Sequence, residues 1–598
     1  MTSFEVERLD FTKAAVKVWA PLDPRNTNWP VVYVLDDAPV HRRSTRGAAL
    51  SDVYVGESRN AVARMRQHFE STEKQHLTTM RVIVDPTFNK SVCLDLESYL
   101  IRMLAGDGSY RVLNRNDGIT EADYYERDSY RKTFREVFDE LHRDGVFTRS
   151  IPEIENSDLF KLSPFKALSI DQGVAVDGIL EGLFADLESR TPSTLVVQGD
   201  PGTGKTVVAI YLLKLLVDIA HSVPSEDLDN DSLFSEYFLP GYRELLTDLR
   251  IGIVVPQQSL RESIKKVFRK TPGLHAEMVM TAFDVGIAAD DFDLLIVDES
   301  HRLNQRANQP SGVQNKKFRD ITVALFGRDD TSKTQLDWIR AKSTHQIFLL
   351  DAAQSVRPAD LPPEVLAALV TDAKDARRHH PLLSQMRVQA GSDYVGYVRS
   401  MLGTNPGLGG DDTRRPETFP GYDLRLFDSL AHMRAAIFRR DAETGLARML
   451  AGFAWPWKTK NDKTSYDIEI DGTRLRWNST QTDWIASAQS LEEVGSIHTV
   501  QGYDLNYAGV IIGPDLGFDP TTNRAIIHRE SYFDKKGKEN NTVLGKTYTD
   551  EDLLRFVRNI YAVLLTRGIR GTYVYVCDPG LREHLRPFLA ADRSAVRR

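Results

Sequence analysis

The 598-residue sequence contains only two cysteines, Cys93 and Cys577, and no long apolar run. Two thiols are too few for a disulfide framework or a four-thiolate metal site. The most apolar stretches, such as Leu212–Leu216 and Leu294–Val297, fall far short of the roughly 18 residues that a membrane helix needs. The amino terminus is acidic and lacks the apolar segment of a signal peptide. We therefore expect a cytoplasmic protein with no membrane partner.

An excess of positive charge is also missing. The sequence has 76 Lys and Arg residues against 84 Asp and Glu, which gives a formal net charge of −8. A nucleic-acid partner would have to bind in local grooves, because the surface is not generally basic. The remaining composition, with 41% hydrophobic and 27% charged residues, is typical of globular proteins and excludes disordered and fibrous chains.

The pattern of apolar runs changes along the chain. Over residues 1–120, short β-branched runs alternate with two helical segments, Asn60–Glu70 and Cys93–Leu104, which predicts a small mixed α/β domain. Residues 121–160 are charged and predict a helical linker. From residue 161 onward, apolar runs alternate with helical stretches, as in doubly wound parallel sheets. The two predicted lobes span residues 161–380 and 381–598.

A glycine-rich segment, Gly199-Asp-Pro-Gly-Thr-Gly-Lys-Thr206, follows the apolar run Leu195–Gln198 and leads into a helical stretch. It matches the phosphate-loop pattern G-x-x-x-x-G-K-[ST] at every fixed position. In such loops backbone N–H groups surround a phosphate, the lysine binds the β- and γ-phosphates, and the hydroxyl binds Mg²⁺. The residues predicted to bind ATP here are Gly199, Gly202, Gly204, Lys205 and Thr206, with Thr206 also a metal ligand.

Two acidic residues, Asp298 and Glu299, end the apolar run Leu294–Val297. We expect this strand to lie next to the strand of the phosphate loop. Asp298 would then hold Mg²⁺ through water, and Glu299 would polarise the water that attacks ATP. Together the two motifs predict a site for ATP and Mg²⁺.

These motifs and several that follow resemble superfamily 1 helicases over most of residues 160–580. The resemblance implies two RecA-like lobes and a motor that couples ATP hydrolysis to movement along nucleic acid. The residues that it adds to the nucleotide site are Gln172 at the adenine, Gln354 at the γ-phosphate, and the second-lobe arginines Arg387 and Arg567. The two arginines would reach ATP only when the lobes close, which would link closure to hydrolysis.

Within superfamily 1, the sequence is similar to a bacterial group of ATPases related to the Schlafen helicase region. The segments that carry this likeness are Ala451–Lys458 and Thr482–Ile485. Trp455 and Trp457 in the first segment would either stack on bases or pack in the core.

The amino-terminal region resembles the GIY-YIG nuclease family over residues 30–118. Val31-Val32 replaces the Gly-Ile of the first motif, and Asp36–Leu50 is an insertion between the two tyrosine motifs. The matching residues are Tyr33, Tyr54, Gly56, Arg64, His68, Glu97 and Asn114. The resemblance implies phosphodiester cleavage with Mg²⁺ or Mn²⁺ on Glu97. It also implies Tyr33 as the base assisted by Tyr54, Arg64 at the scissile phosphate, and His68 as a positioning group.

The sequence is therefore interpreted as an ATP-dependent helicase or translocase joined to an endonuclease. Its expected partner is nucleic acid, DNA in preference to RNA, and its suggested roles are defence against foreign DNA, such as phage DNA, or DNA repair. Two alternatives stay open. One is a translocase that does not cut, and the other is an ATP-gated nucleic-acid sensor whose amino-terminal domain only binds.

Overall fold

The structure is a computed structural model, and its two compact units are described separately. The described residues are 4–37, 50–115, 123–222, 233–306, 309, 311–351, 356–385, 388, 393–403, 417–480, 484–500 and 504–591. The first unit comprises Met1–Asp177, Ile210–Asp248 and Ser263–Met278, and the second comprises Gly178–Ala209, Leu249–Glu262 and Val279–Arg598. Among the described residues, no helix is both long enough and apolar enough to cross a membrane.

The first unit is built on a five-stranded mixed sheet. Its strands are β1 (Glu5–Asp10), β2 (Val31–Asp36), β3 (Ser51–Ser58), β4 (Thr79–Val84) and β5 (Tyr110–Val112). They lie in the order β1-β4-β2-β3-β5, and only the β3–β5 pair is parallel. The three central strands were predicted from their β-branched runs. The two edge strands were missed, because four of the six residues of β1 are charged and β5 has only three residues.

Helices cover this sheet and continue beyond it. They are α1 (Lys13–Trp19), α2 (Arg25–Asn28), α3 (Ala61–His68), α4 (Lys90–Asp107), α5 (Arg127–Arg143), α6 (Ile151–Glu155) and α7 (Asp158–Lys161). The helix α8 (Ile170–Ser189) begins in this unit and ends in the second. Asn89 caps α4, and its side chain accepts a hydrogen bond from the Val92 N–H at 3.2 Å. The buried face of α4, which includes Leu96 and Leu100, packs in the same core as Val53 and Val55 of β3.

The central hairpin is held by contacts that glycine and asparagine make possible. Tyr33 lies opposite Gly56 in the β2–β3 register, and its ring covers the glycine. A Cβ at Gly56 would stand 2.2 Å from Tyr33 Oη. Asn114, just after β5, accepts from the Val55 N–H at 3.0 Å and donates to the Val55 carbonyl at 2.7 Å. The amide of Asn114 thereby replaces a strand partner for Val55.

The second unit contains a six-stranded parallel sheet formed by the first half of its chain. Its strands are β6 (Ser193–Gly199), β7 (Ile251–Val254), β8 (Val279–Met280), β9 (Phe292–Val297), β10 (Ser343–Leu350) and β11 (His379–Leu382). The order is β11-β6-β10-β9-β7-β8, and every pair is parallel. The carboxyl ends of the strands therefore meet at one edge, where ligands bind in such sheets.

A second six-stranded parallel sheet follows, with two antiparallel hairpins inserted along it. The strands in chain order are β12 (Asp423–Leu426), β13 (Ala447–Ala451), β14 (Ile468–Ile470), β15 (Thr473–Leu475), β16 (Val494–Gly495), β17 (Leu505–Ile512), β18 (Leu516–Asp519), β19 (Arg524–Ile527), β20 (Gly568–Val576) and β21 (Ala590–Ala591). The sheet order is β16-β13-β17-β20-β12-β21, and the hairpins are β14–β15 and β18–β19. Trp455 and Trp457 are partly buried against the core of this sheet, which favours their packing role.

The remaining helices alternate with these strands. They are α9 (Lys205–Ala220), α10 (Tyr242–Leu246), α11 (Gln258–Phe268), α12 (Ala282–Ile287), α13 (Gly312–Phe326), α14 (Gln335–Ala341), α15 (Pro363–Asp375), α16 (Tyr394–Met401), α17 (Leu430–Thr444), α18 (Ile497–Val500), α19 (Asp550–Leu565) and α20 (Pro579–Leu585). The predicted fold class is confirmed. A small mixed α/β region precedes two doubly wound parallel-sheet lobes of RecA-like type, and we name the sheets β6–β11 and β12–β21 the first and second lobe.

The close approach of Tyr33 to Gly56 generates a stability prediction. Replacing Gly56 with Ala places a methyl group against the hydroxyl end of the Tyr33 ring, and that ring is fully buried. We expect a loss of about 1–3 kcal/mol, a usual cost of overpacking a core. Calorimetry of the full chain would measure it as an earlier transition. Gly312→Ala is the control, since no atom of the described residues lies within 4 Å of a Cβ there, and equal melting of the two variants would contradict the prediction.

Candidate functional site

The phosphate loop lies between β6 and α9, as its sequence predicts. Gly202 and Gly204 have φ values of +88° and +82°, a backbone region in which glycine is favoured. Gly199 has a different constraint, because a Cβ there would stand 2.4 Å from Thr203 Oγ1. Residues with side chains at these three positions would distort the loop, so the glycines are required by its geometry.

Lys205 and Thr206 begin α9 and point into the loop. The buried Lys205 Nζ donates to the carbonyl of Gly199 at 2.7 Å and to that of Asp200 at 3.0 Å. Thr206 Oγ1 donates to Asp298 Oδ2 at 2.7 Å. The loop therefore presents a cation and a hydroxyl–carboxylate pair at the carboxyl edge of the sheet, and this donor set fits a phosphate with a divalent cation.

The order of the first-lobe sheet corrects one expectation about this pair. Asp298 follows β9, but β9 does not lie next to β6, because β10 lies between them. Asp351 at the end of β10 is therefore also at this edge, and it is buried. Burial, followed by the nearby Glu299 carboxylate, raises the pKa of Asp298 to about 6. Three acidic residues, Asp298, Glu299 and Asp351, therefore lie at this edge of the sheet.

A buried histidine connects Glu299 to the end of β10. His301 Nε2 lies 3.1 Å from Glu299 Oε2, and the Asp351 N–H donates to His301 Nδ1 at 3.3 Å. The His301 ring therefore lies between the Glu299 carboxylate and the backbone of Asp351. Burial opposes the charge on Glu299, yet His301 holds the pKa of that carboxyl below its ordinary value. Glu299 is thus an oriented carboxylate.

Two of the four other residues predicted for the nucleotide site, Gln172 and Arg567, lie among the described residues. Gln172, in the first unit, is buried, and its Oε1 accepts from the Ser169 N–H at 3.0 Å. Arg567 follows α19 and is buried, with its Nε donating to the Val563 carbonyl at 3.2 Å. Gln354 and Arg387 lie outside the described residues.

Two residues near the loop were not predicted from sequence. Gln385 Nε2 donates to the Pro201 carbonyl at 2.7 Å, which places the segment before Arg387 against the phosphate loop. Arg399 on α16 donates through Nη1 to Asp200 Oδ1 at 2.6 Å. Its Nη2 lies 3.4 Å from both carboxylate oxygens of Asp351. Gln385 has a sequence signal, because it belongs to the Ser384-Gln-Met-Arg387 motif, whereas Arg399 has none.

In the first unit, the structure brings together the tyrosines and the histidine predicted for cleavage. Tyr33 Oη and His68 Nε2 lie 2.8 Å apart, and the ring of Tyr54 stands edge-on to His68 with centroids 5.1 Å apart. Burial raises the pKa of Tyr33 well above its ordinary value, and Tyr54 adds to the rise. Burial lowers the pKa of His68 to about 2, with help from Lys74 and Arg64. Both groups are neutral near pH 7.

Three charged residues surround this aromatic cluster. Arg64 on α3 is half-buried, and although burial opposes its charge, Tyr33 and Tyr54 hold its pKa above the ordinary value. Lys74, which sequence analysis missed, lies 3.8 Å above the ring centroid of Tyr54. Glu97 on α4 acts electrostatically on both Tyr33 and Lys74. Lys74 lies in an unremarkable loop sequence, so only the fold shows its proximity.

The carboxylates near this cluster are the residues that a metal ion would use. Among the described residues, no group of three or more His, Cys, Asp or Glu is placed to hold a metal ion. Glu57 follows Gly56, and its Oε1 accepts from Lys90 Nζ at 2.6 Å, while its buried Oε2 has no hydrogen-bond partner in the part of the chain that the structure describes. Glu57 and Glu97 both raise the pKa of Cys93, although burial is the larger cause. Glu57 and Glu97 are therefore the carboxylates of this region that are available to a divalent cation.

The sequence matches the family described as Schlafen group 3, DNA/RNA helicase domain, over residues 192–578. This match covers about two thirds of the chain. The chain belongs to this family. It therefore contains a helicase-like Schlafen group 3 motor domain, which includes the phosphate loop, Asp298 and most of the second lobe.

Other relatives are more distant. The Saccharomyces cerevisiae protein YPL245W is 26% identical over 461 residues, covering 73% of this chain and 93% of the yeast protein. A Bacteroides Pif1 helicase in complex with ADP-AlF3 and ssDNA is 10% identical with a TM-score of 0.23, covering 70% of this chain and 94% of that one. A DEAD box protein from Methanococcus jannaschii is 12% identical with a TM-score of 0.21, covering 71% and 96%. Likenesses this weak carry no argument about the site.

The Thr206–Asp298 contact generates a prediction for the Schlafen group 3 motor. Asp298→Asn keeps the shape of the side chain but removes the charge that would balance a divalent cation. We expect ATP hydrolysis to fall on the order of 100-fold or more, as when a charge-stabilising group is lost from an active site. Asp293→Asn, near the other end of β9, is the matched control, since Asp293 accepts from the Arg250 N–H instead. Equal rates in the two variants would contradict the assignment.

Proposed function

We propose that the chain is an ATP-driven motor that moves along nucleic acid, DNA in preference to RNA, and cuts it with its amino-terminal unit. The observation that carries the motor is the meeting of Lys205, Thr206 and Asp298 at one sheet edge within a helicase-family domain. ATP with Mg²⁺ would supply the charged phosphates that this edge binds. Glu299, oriented by His301, would accept a proton from the attacking water.

The nuclease part of the proposal is supported by the cluster around Tyr33. Phosphodiester cleavage needs an acceptor for the water proton, a cation beside the phosphate, and a metal ligand. Tyr33 with His68, Arg64 with Lys74, and Glu97 are residues of these three kinds. A divalent cation would neutralise the phosphate when bound, with Glu97, and Glu57 as a second carboxylate, as its protein ligands. Arg64 and Lys74 would orient the scissile phosphate.

One test separates cutting from binding and motion. The full chain would be incubated with forked, 5′-fluorescent DNA and Mg²⁺ or Mn²⁺, with and without ATP. We expect Glu97→Gln to lower cleavage about 100-fold or more while leaving nucleic-acid-stimulated ATP hydrolysis intact. Lys205→Ala should abolish hydrolysis but retain ATP-independent cutting. The control is Glu136→Gln, an exposed acid on α5.

Each alternative corresponds to a distinct result. Unchanged products in Glu97→Gln would remove the nuclease proposal. Absence of cutting on DNA and RNA alike, with ATP hydrolysis retained, would favour a translocase or a sensor whose amino-terminal unit only binds. If the chain does cut, its substrate separates the two suggested roles. Defence predicts a preference for unmodified foreign DNA, and repair predicts a preference for damaged DNA.

Lys74 adds a pH prediction to the nuclease proposal. Burial, followed by the charges of Arg64 and Arg115, lowers its pKa to about 8. The side chain is charged below that pH and neutral above it, so its attraction for phosphate disappears as the pH rises. We expect cleavage by the wild type to decline above about pH 8, and Lys74→Arg to shift the decline upward, since arginine stays charged. Lys132→Arg on α5 is the control, and identical profiles for all three proteins would contradict the role.

A further inference from the structure

Arg399 is carried by the second lobe. It lies on α16, where Tyr394 Oη donates to the Leu565 carbonyl at 3.0 Å and Tyr397 Oη donates to the Phe588 carbonyl at 2.7 Å. The apolar face of α16 is buried in the core that contains β12, β17 and β20. The backbone of Arg399 is therefore fixed by second-lobe contacts, so that it moves with that lobe.

The acceptors of Arg399 belong to the first lobe. Asp200 is the second residue of the phosphate loop, and Asp351 follows β10 at the carboxyl edge of the sheet. The arginine side chain is only 14% exposed, so two carboxylates offset the cost of burying its charge. The guanidinium thus crosses between the lobes at the loop that carries Lys205 and Thr206.

Neither contact is strong enough to hold Arg399 permanently. The Asp200 side chain is 52% exposed, so water screens its ion pair. The contacts to Asp351 are long, at 3.4 Å. A phosphate group offers more negative charge than a carboxylate and matches the donor fork of arginine, so it binds a guanidinium more strongly.

We propose that Arg399 is an ATP-contacting residue that exchanges Asp200 and Asp351 for the terminal phosphate of ATP. The inference rests on the proposed ATP-driven motor and deepens it. It gives the second lobe a way to distinguish ATP from ADP, because only ATP places a third phosphate beyond the loop. It is additional to Arg387 and Arg567.

The contacts of the two acceptors explain how the exchange reaches the rest of the site. The Asp351 N–H donates to His301, which faces Glu299, so the residue whose carboxylate Arg399 would release also contacts the neighbour of the water-orienting group. On the other side, Tyr394 binds the carbonyl of Leu565, two residues before Arg567. Arg399 therefore connects the acids of the first lobe with the arginine motif of the second.

The test compares the binding of two magnesium nucleotides to the full chain, AMP-PNP and ADP, by titration calorimetry. We expect Arg399→Ala to weaken AMP-PNP binding about tenfold, a typical coupling between sites, while ADP binding changes less than about twofold. Arg399→Lys should give an intermediate loss, because it keeps the charge but not the fork. Asp200→Asn should tighten AMP-PNP binding a few-fold, since it releases the arginine from its shortest contact.

The control is Arg586→Ala, which removes a second-lobe arginine paired with Asp428 and Glu583, and it should change neither affinity. An unchanged AMP-PNP to ADP affinity ratio in Arg399→Ala would overturn the proposal, as would equal weakening of both nucleotides. If Arg399→Ala does not fold, the other two variants provide the test. Arg399→Lys should weaken AMP-PNP binding and Asp200→Asn should tighten it, and a change in the same direction for both would overturn the proposal. A wild type that binds neither nucleotide would instead remove the proposed motor function.

Discussion

The parallel direction of the strands in the first lobe is the constraint on which the nucleotide site depends. Because every pair is parallel, the polar residues that follow β6, β9 and β10 all lie at one edge. Thr206 and Asp298, which are 92 residues apart, can therefore share a hydrogen bond of 2.7 Å. An antiparallel strand in place of β9 would carry its terminal acid to the opposite edge, and the phosphate loop would lack its carboxylate.

This constraint also explains which parts of the site could be predicted. The phosphate loop and Asp298-Glu299 are local motifs that follow apolar runs, so the strand ends identify them without a structure. The position of β10 between β6 and β9 could not be predicted, because the order of parallel strands depends on crossovers rather than on neighbouring residues. Arg399 had no signal either, since its partners Asp200 and Asp351 lie 199 and 48 positions away.

The first unit shows the same division between local and distant information. The hairpin strands and helices α3 and α4 follow from β-branched and helical patterns in the sequence. Strand β1 was missed because four of its six residues are charged. The approach of Lys74 to Tyr54 depends on how a loop folds back over the cluster, and its residue type alone favours a solvated surface position.

The ring of Tyr33 over Gly56 has a consequence for how β2 and β3 find each other. The connection from Asp36 to Ser51 is too long to set the pairing in the way that a two-residue turn does. The nearest alternatives that keep the same faces would put Tyr54 or Ser58 opposite Tyr33, and both carry a Cβ where the ring lies. Gly56 is the only residue of β3 without one. The Tyr33–Gly56 pair therefore sets the register of β2 and β3 and disfavours slipped pairings during folding.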